Sequence, residues 1–346
     1  TDCTIDLNAT PQLTSKPQGC WLIAGTSTHI ALSYQAWATI RDMGIGHYIK
    51  EIGRGRDGAR ALKREQAADL MGQVLDGQVS DLEVGAFCLA MRIKGETAEE
   101  MAGFLDATHA RLHALPVNPQ TNAVVLPCYN GARKLPVLTP LLAHLLAREG
   151  MAVIMHGTAT EASRISSQEV LASMGVAALG TVREVQAGEV VFPPTELLCP
   201  GLKRLLDVRR VVGLRNPAHS LVKLMNPVQN NATQKVLRIS SYTHPEYLHS
   251  MAATFALTQA HALLLRGTEG EVVADARRQP QMDIFVDGQR RLTLDAQTGS
   301  LTQLPELPTQ IDAHTTASYT QAVLNGTLPV PAPIAQQVQA ALQALS

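Results

Sequence analysis

The chain has 346 residues, is 45% hydrophobic and carries a formal charge of −1, which is enough apolar material for two domains, or for one domain with a large elaboration. A near-neutral total argues against a histone-like polycation. Five widely spaced cysteines with no CxxC or Cys/His grouping argue against a disulfide framework or structural zinc. No run approaches the roughly 18 apolar residues that span a bilayer, and no basic start followed by an apolar run and cleavage site opens the chain. A cytoplasmic protein with no membrane partner is the expectation.

In chain order, residues 1–42 are rich in Thr and Ser and weakly periodic, and read as an N-terminal extension without assignable structure. Residues 43–116 read as a helical domain. "ALKREQAADLMGQVLDG" places Ala67, Leu70, Met71, Val74 and Leu75 on one face and stops at Gly77. The next helix takes Ser80 or Asp81 as N-cap, and the one after it starts at a Thr97 cap with Glu100 at the capping-box position. The polar "PVNPQTNA" then links to residues 117–346, where strands and helices alternate.

The first of these strands spans Val124–Leu126 and leads through "PCYNGARK" to a helix over Thr139–Glu149. "MAVIMHG" is a second strand, and "SSQEVLASMGV" a helix ending at Gly175. "KVLRISS", "ALLLRGTEG" and "QMDIFVDGQRRLTLD" are further strands, with the helix "PEYLHSMAATFALTQA" between the first two. The pattern predicts an α/β domain with a mainly parallel, covered central sheet whose ligands sit beyond the strand C-termini. "LPCYNGARK", "MHGTATEASR" and "RGTEGEV" all leave strands at that edge and are expected to converge on one cleft.

A strand-loop-helix junction presents free N–H groups to an anion. Phosphate-cradling loops usually carry several glycines, and "PCYNGARK" has only Gly131, followed by Arg133 and Lys134. Positive charge is also clustered elsewhere. One segment holds Lys50, Arg54, Arg56, Arg60, Lys63 and Arg64 against Glu51, Asp57 and Glu65; another holds Lys203, Arg204, Arg209, Arg210 and Arg215 against Asp207. A single such run is ordinarily a solvated helix face, and two runs plus a basic loop weigh toward a polyanion.

The remaining candidates favour structural roles. His156 is read as a strand-end histidine bonded to its own loop, His244 as ordering a turn, and Cys128 as a small buried residue rather than a nucleophile. Asn216 and His219 in "RNPAHS" are expected to shape a cleft wall. No HExxH pattern or G-x-S-x-G elbow occurs. Tyr129 is the best-placed aromatic platform for an unstacked base.

The order of a helical domain, a strand-loop-helix, "HG", "RRVVGLRNPAHSLVKLMNPV" and a strand into "RGTEGE" resembles the anthranilate phosphoribosyltransferase family, from about Tyr48 to Asp295. The resemblance implies a class III phosphoribosyltransferase fold, of the type shared by glycosyltransferase family 3 and class II nucleoside phosphorylases. It also implies a helical domain that mediates homodimerisation and an interdomain cleft for phosphoribosyl pyrophosphate, magnesium and anthranilate. The motifs depart from that pattern. The family's Gly-Thr-Gly-Gly-Asp falls on Cys128-Tyr129-Asn130-Gly131-Ala132, and Lys-His-Gly-Asn-Arg on Met155-His156-Gly157-Thr158-Ala159. Asp-Gly-Leu-Asp-Glu falls on Glu269-Gly270-Glu271-Val272-Val273, so the magnesium-binding acidic pair has become valine, while a basic position survives as Arg209.

"IKEIGRG", "MRIKGE", "YNGARK", "LTPLLA", "RNPAH", "THPEY" and "RGTEGEV" are similar to the divergent YbiB-like branch. That resemblance implies a homodimer that binds DNA or RNA without marked sequence preference and lacks the tryptophan-pathway activity, with no cofactor. The expected phosphate contacts are Lys50, Arg54, Arg56, Arg133, Lys134, Lys203, Arg204, Arg209 and Arg210. The alternative is a pentosyl or phosphoribosyl transferase acting on a nucleotide-like substrate, with Asn130, His156 and Glu269 retained for catalysis. Glu269 and Glu271 would then be the remaining metal ligands, and phosphoribosyl pyrophosphate and magnesium would be needed only in this case.

Overall fold

The computed structural model describes residues 44–55, 57–229, 234–301 and 304–346. The extension assigned to residues 1–42 and the candidate Arg56 lie outside the described residues. Residues Ile45–Ser346 form one compact unit.

Helices α1 (Gly46–Ile52), α2 (Arg64–Asp76), α3 (Asp81–Lys94) and α4 (Ala98–His109) open it. Their boundaries follow local chemistry. Ser80 and Thr97 accept from the N–H groups of Glu83 and Glu100, whose carboxylates bond back to the cap residues. Gly77 ends α2 in the left-handed conformation. Glu100 does more than cap: it is fully buried, accepts from Leu62 N at 2.9 Å and pairs with Lys94 Nζ at 2.5 Å, tying the start of α2 and the end of α3 to α4.

The sheet has seven strands in the order β3-β2-β1-β4-β5-β6-β7. These are β1 (Ala123–Pro127), β2 (Ala152–His156), β3 (Val190–Val191), β4 (Val236–Tyr242), β5 (Ala262–Arg266), β6 (Met282–Val286) and β7 (Gln289–Leu294). Strands β3 to β5 in that order run parallel; β6 and β7 join antiparallel. "QMDIFVDGQRRLTLD" is a hairpin that turns at Asp287 (φ 49°) and Gly288 (φ 74°), as an Asp-Gly pair favours.

The parallel strands are buried on both faces, so their sequences read as apolar runs. Val125, Ile154, Ala262 and Leu264 face the core shared with α1–α4; Val124, Val153, Leu263 and Leu265 face the opposite core. That second core is closed by α5 (Thr139–Arg148) and, near the C-terminus, α11 (Ala313–Leu324) and α12 (Ala332–Leu345). Between β2 and β4 lie α6 (Ser167–Ser173), α7 (Thr195–Leu198), α8 (Pro200–Val212) and α9 (Ala218–Leu224), and α10 (Glu246–Leu257) connects β4 to β5. The strand order reverses at β1, whose neighbours are β2 on one side and β4 on the other. Ligands in open α/β sheets bind beyond the strand C-termini at such a point.

Candidate functional site

The loop after β1 meets the loop after β5 at the C-terminal edge of the sheet. Two carboxylates from the second loop accept hydrogen bonds from the first. Glu271 Oε1 takes the N–H groups of Asn130 (3.0 Å) and Gly131 (2.8 Å), and its Oε2 takes the hydroxyls of Thr139 (3.3 Å) and Ser167 (3.2 Å). Glu269 Oε2 takes the N–H groups of Arg133, Lys134 and Leu135 at 2.8, 3.0 and 3.3 Å. The loop is therefore an anion cradle in geometry, and the chain's own carboxylates fill it.

The backbone is bent to achieve this. Glu269 sits at φ 53° and Gly270 at φ 91°, and a Cβ at Gly270 would collide with the Asn130 amide. On the other side, a Cβ at Gly157 would collide with the Cys128 carbonyl, where the β2 loop crosses the β1 loop. Burial pushes the Glu271 carboxyl above its usual range, with its four donors acting in the opposite direction.

These contacts decide whether phosphoribosyl pyrophosphate and magnesium fit, and they do not. A diphosphate would need the amides that Glu269 and Glu271 occupy. Glu271 has its lone pairs directed at four donors, and Val272 and Val273, where an acidic pair would hold the ion, are buried apolar residues. Asn130 is equally committed: its N–H goes to Glu271 and its Oδ1 accepts from Arg215 at 3.5 Å.

Two expectations about single residues change, those for His156 and Tyr129, and the expected burial of Cys128 holds. His156 is fully buried, and neither ring nitrogen has a partner among the described residues; the bond that joins the two loops is made by its backbone carbonyl, which accepts from Cys128 N at 2.7 Å. Burial holds its imidazole neutral, with a pKa of about 3. Tyr129 is only 3% exposed, its ring packed by His219 and by Lys223, so it offers no open stacking face. Cys128 is buried, and its surroundings push the thiol well above the usual range, which leaves it unreactive.

Beside the loop, three arginines surround one carboxylate. Glu161 contacts Arg209 at 2.7 Å, Arg164 at 3.0 Å and Arg215 at 3.9 Å, and the Arg209 hydrogen bond is the main reason its pKa lies below the carboxylate range. Arg164 also donates to Gly131 O, so the cluster is built onto the loop. One Arg209 terminal nitrogen is buried with no partner among the described residues. Arg164 and Glu161 were not singled out from sequence: Glu161 and Arg209 stand 48 residues apart, and only the fold joins them.

The other expected basic residues lie on the β1–α5 loop, on α8 and on α1. Arg133 and Lys134 point their side chains to solvent while their amides are held by Glu269. Along α8, Arg210 and Lys203 flank Asp207, at 3.5 and 2.5 Å, and Arg204 donates to Leu75 O at the end of α2. Asp69 of α2 accepts from Tyr48 of α1. Asp69 and Leu75 are six residues, roughly 9 Å, apart along α2, so α2 links the α8 cations to the α1 segment. There Lys50 is exposed in the last turn, and Arg54 pairs with Glu51 at 2.8 Å.

Next to the arginine cluster lies a cleft of about 550 Å³ beyond β1 and β4, walled by the α3–α4 turn, Tyr129, the start of α9 and the β4–α10 turn. Asn216 and His219 do line it.

Residues 47–111 match the family model described as "Glycosyl transferase family, helical bundle domain". The chain is 38% identical to the uncharacterized protein YbiB of Escherichia coli over 303 residues, covering 86% of this chain and 92% of that protein. It is 28% identical to the anthranilate phosphoribosyltransferase of Methanopyrus kandleri, over 83% and 85% of the two chains. The anthranilate phosphoribosyltransferase of Thermus thermophilus superposes with a TM-score of 0.64 at 23% identity, over 86% and 87%. A helical bundle set against a mostly parallel seven-stranded sheet, with the site at the β1/β4 edge, defines an anthranilate phosphoribosyltransferase-like protein. Within that class the chain belongs to the YbiB-type family.

Proposed function

We propose that the protein is a cytoplasmic homodimer that binds DNA and RNA without sequence specificity, through the phosphates. The observation that carries this reading is the exposed charge of Arg133 and Lys134 beside the Arg164–Arg209–Arg215 cluster and a diphosphate cradle that the chain has filled itself. Among the described residues, Lys50, Arg133 and Lys134 enter no ion pair, so their charge is available to a polyanion. Each phosphate contact releases counterions, so affinity falls steeply with salt. In the proposed dimer a second copy doubles the number of these cations. Cys88, Cys128 and Cys199 are free thiols, which suits a reducing compartment, and no helix among the described residues is long and apolar enough to cross a membrane.

Fluorescence anisotropy with unrelated duplex and single-stranded oligonucleotides tests this. For about six phosphate contacts, affinity drops on the order of a thousandfold between 50 and 200 mM salt. A double Arg133→Ala, Lys134→Ala variant lowers the salt slope by about 2 on every sequence. Undetectable binding at low salt overturns the proposal.

The cleft favours a second reading, a pentosyl transferase acting on a nucleotide-like substrate. Calorimetry with phosphoribosyl pyrophosphate and magnesium separates the two. With the cradle filled by Glu269 and Glu271, no saturable binding is expected; micromolar binding favours the transferase.

A further inference from the structure

Two kinds of side chain in the lining of the cleft beyond β1 and β4 bear on its ligand. The cations are Arg92, Lys94, Arg215 and Lys223, and the lining carboxylate is Glu96. Lys94 is neutralised by the buried Glu100, which leaves three cations against one acid. Burial pushes the Glu96 carboxyl toward its neutral form, which lowers the opposing charge further. Arg215 stands at the mouth, shared with the Glu161 cluster. Lys223 reaches over the Tyr129 ring, 5.6 Å from its centroid, with its ammonium donating to Ser241 O.

The second kind is aromatic. Tyr247, in the first turn of α10, is 43% exposed, and its ring meets that of His244 edge to face at 6.2 Å. Unlike Tyr129, this pair leaves ring surface open beside the cleft. A volume of about 550 Å³ falls within the usual small-ligand range of ~300–1,000 Å³. A planar base stacks favourably against an aromatic wall, and a phosphate between Arg215 and Lys223 makes charge-assisted bonds. Nothing here reproduces the amide cradle a diphosphate requires, so the phosphate served is a single one.

We propose that this cleft binds one nucleoside monophosphate, its phosphate between Arg215 and Lys223 and its base against Tyr247 and His244. The ligand has two sources with the same chemistry: a free nucleotide, or the 5′-phosphorylated end of a bound strand. The strand-end source rests on the nucleic-acid reading above.

Calorimetry with adenosine and uridine monophosphates, adenosine and inorganic phosphate tests the site in the full chain. The monophosphates are expected to bind saturably, at least tenfold more tightly than adenosine or phosphate alone. Lys223→Gln and Tyr247→Ala should each weaken binding about tenfold or more; Tyr247 is surface-exposed, so its variant keeps the fold. To separate the sources, a pentanucleotide is titrated with and without its 5′-phosphate. Binding of the phosphorylated form alone, with no binding of free monophosphate and the same dependence on Lys223 and Tyr247, assigns the site to strand ends. Absence of both, or binding unchanged in both variants, overturns the site. Salt-dependent binding of long duplex that is weakened by the Arg133/Lys134 variant would still leave the nucleic-acid reading standing, so the two failures are distinguishable.

Discussion

At the scale of single residues, the site is governed by Glu271 and Glu269, two carboxylates that hold five backbone amides. Their consequences for stability differ because their surroundings differ. Glu271 is 1% exposed, and replacing it with alanine leaves two buried N–H groups and two hydroxyls without an acceptor. At about 1–3 kcal/mol for each of these four buried groups left unpaired, Glu271→Ala is expected to destabilise the protein by at least about 4 kcal/mol. Glu271→Gln keeps an acceptor oxygen for Asn130 and Gly131 and is expected to cost about 1 kcal/mol. Glu269 serves the exposed Arg133 and Lys134 and the half-buried Leu135, a site open to water, so Glu269→Ala should cost less than Glu271→Ala, about 1 kcal/mol. Urea unfolding of the three variants checks the order; a Glu269→Ala loss equal to that of Glu271→Ala would mean that burial does not set the cost.

At the scale of elements, the proposed dimer is expected to form through helix α3. Leu82, Leu89 and Ile93 are 83%, 47% and 55% exposed, and their spacing places them on one face of the helix. Sedimentation velocity is expected to show a dimer, and a Leu89→Glu, Ile93→Glu double variant a monomer with unchanged circular dichroism, since neither side chain is buried in the protomer. A monomeric wild type, or a variant that stays dimeric, removes α3 from the interface. The elements themselves were largely legible because their signals are local: an N-cap at Ser80 or Asp81, a capping box at Thr97, apolar runs for the buried parallel strands, and the alternation that predicts a covered sheet. The two-residue β3 and the four-residue α7 are too short to carry a period. The site was legible only as far as its loops. That "PCYNGARK" and "RGTEGEV" meet could be expected from the strand edges, but the Glu271 to Gly131 bond spans 140 residues, and no spacing rule announces that a carboxylate will occupy an amide cradle. The same distance problem hid the aromatic packing that closes off Tyr129, which by sequence alone is simply a tyrosine in a loop.

At the scale of the whole molecule, neutral buried imidazoles make the protein less stable as pH falls, while the raised carboxyls of Glu271 and Glu96 act in the opposite direction. His156 and His219 are 0% and 4% exposed, and burial lowers their pKa values to about 3 and about 4. In the unfolded chain each returns to about 6.5. As pH falls below that value, the unfolded state takes up protons that the folded state refuses, so stability declines from about pH 6.5 down toward the folded pKa values. Between pH 7 and 5 this amounts to about 2 kcal/mol for each histidine, or about 4 kcal/mol for the pair. Glu161 and Asp76 have lowered pKa values, so their contribution is intact above the ordinary carboxylate range and is lost only at more acid pH. In urea unfolding at pH 7 and pH 5, the loss seen in the wild type is therefore expected to be smaller by about 2 kcal/mol in His156→Gln and likewise in His219→Gln. Two single variants are used because each tests the account separately. If both retain the full loss, the acid sensitivity lies in groups other than these two imidazoles.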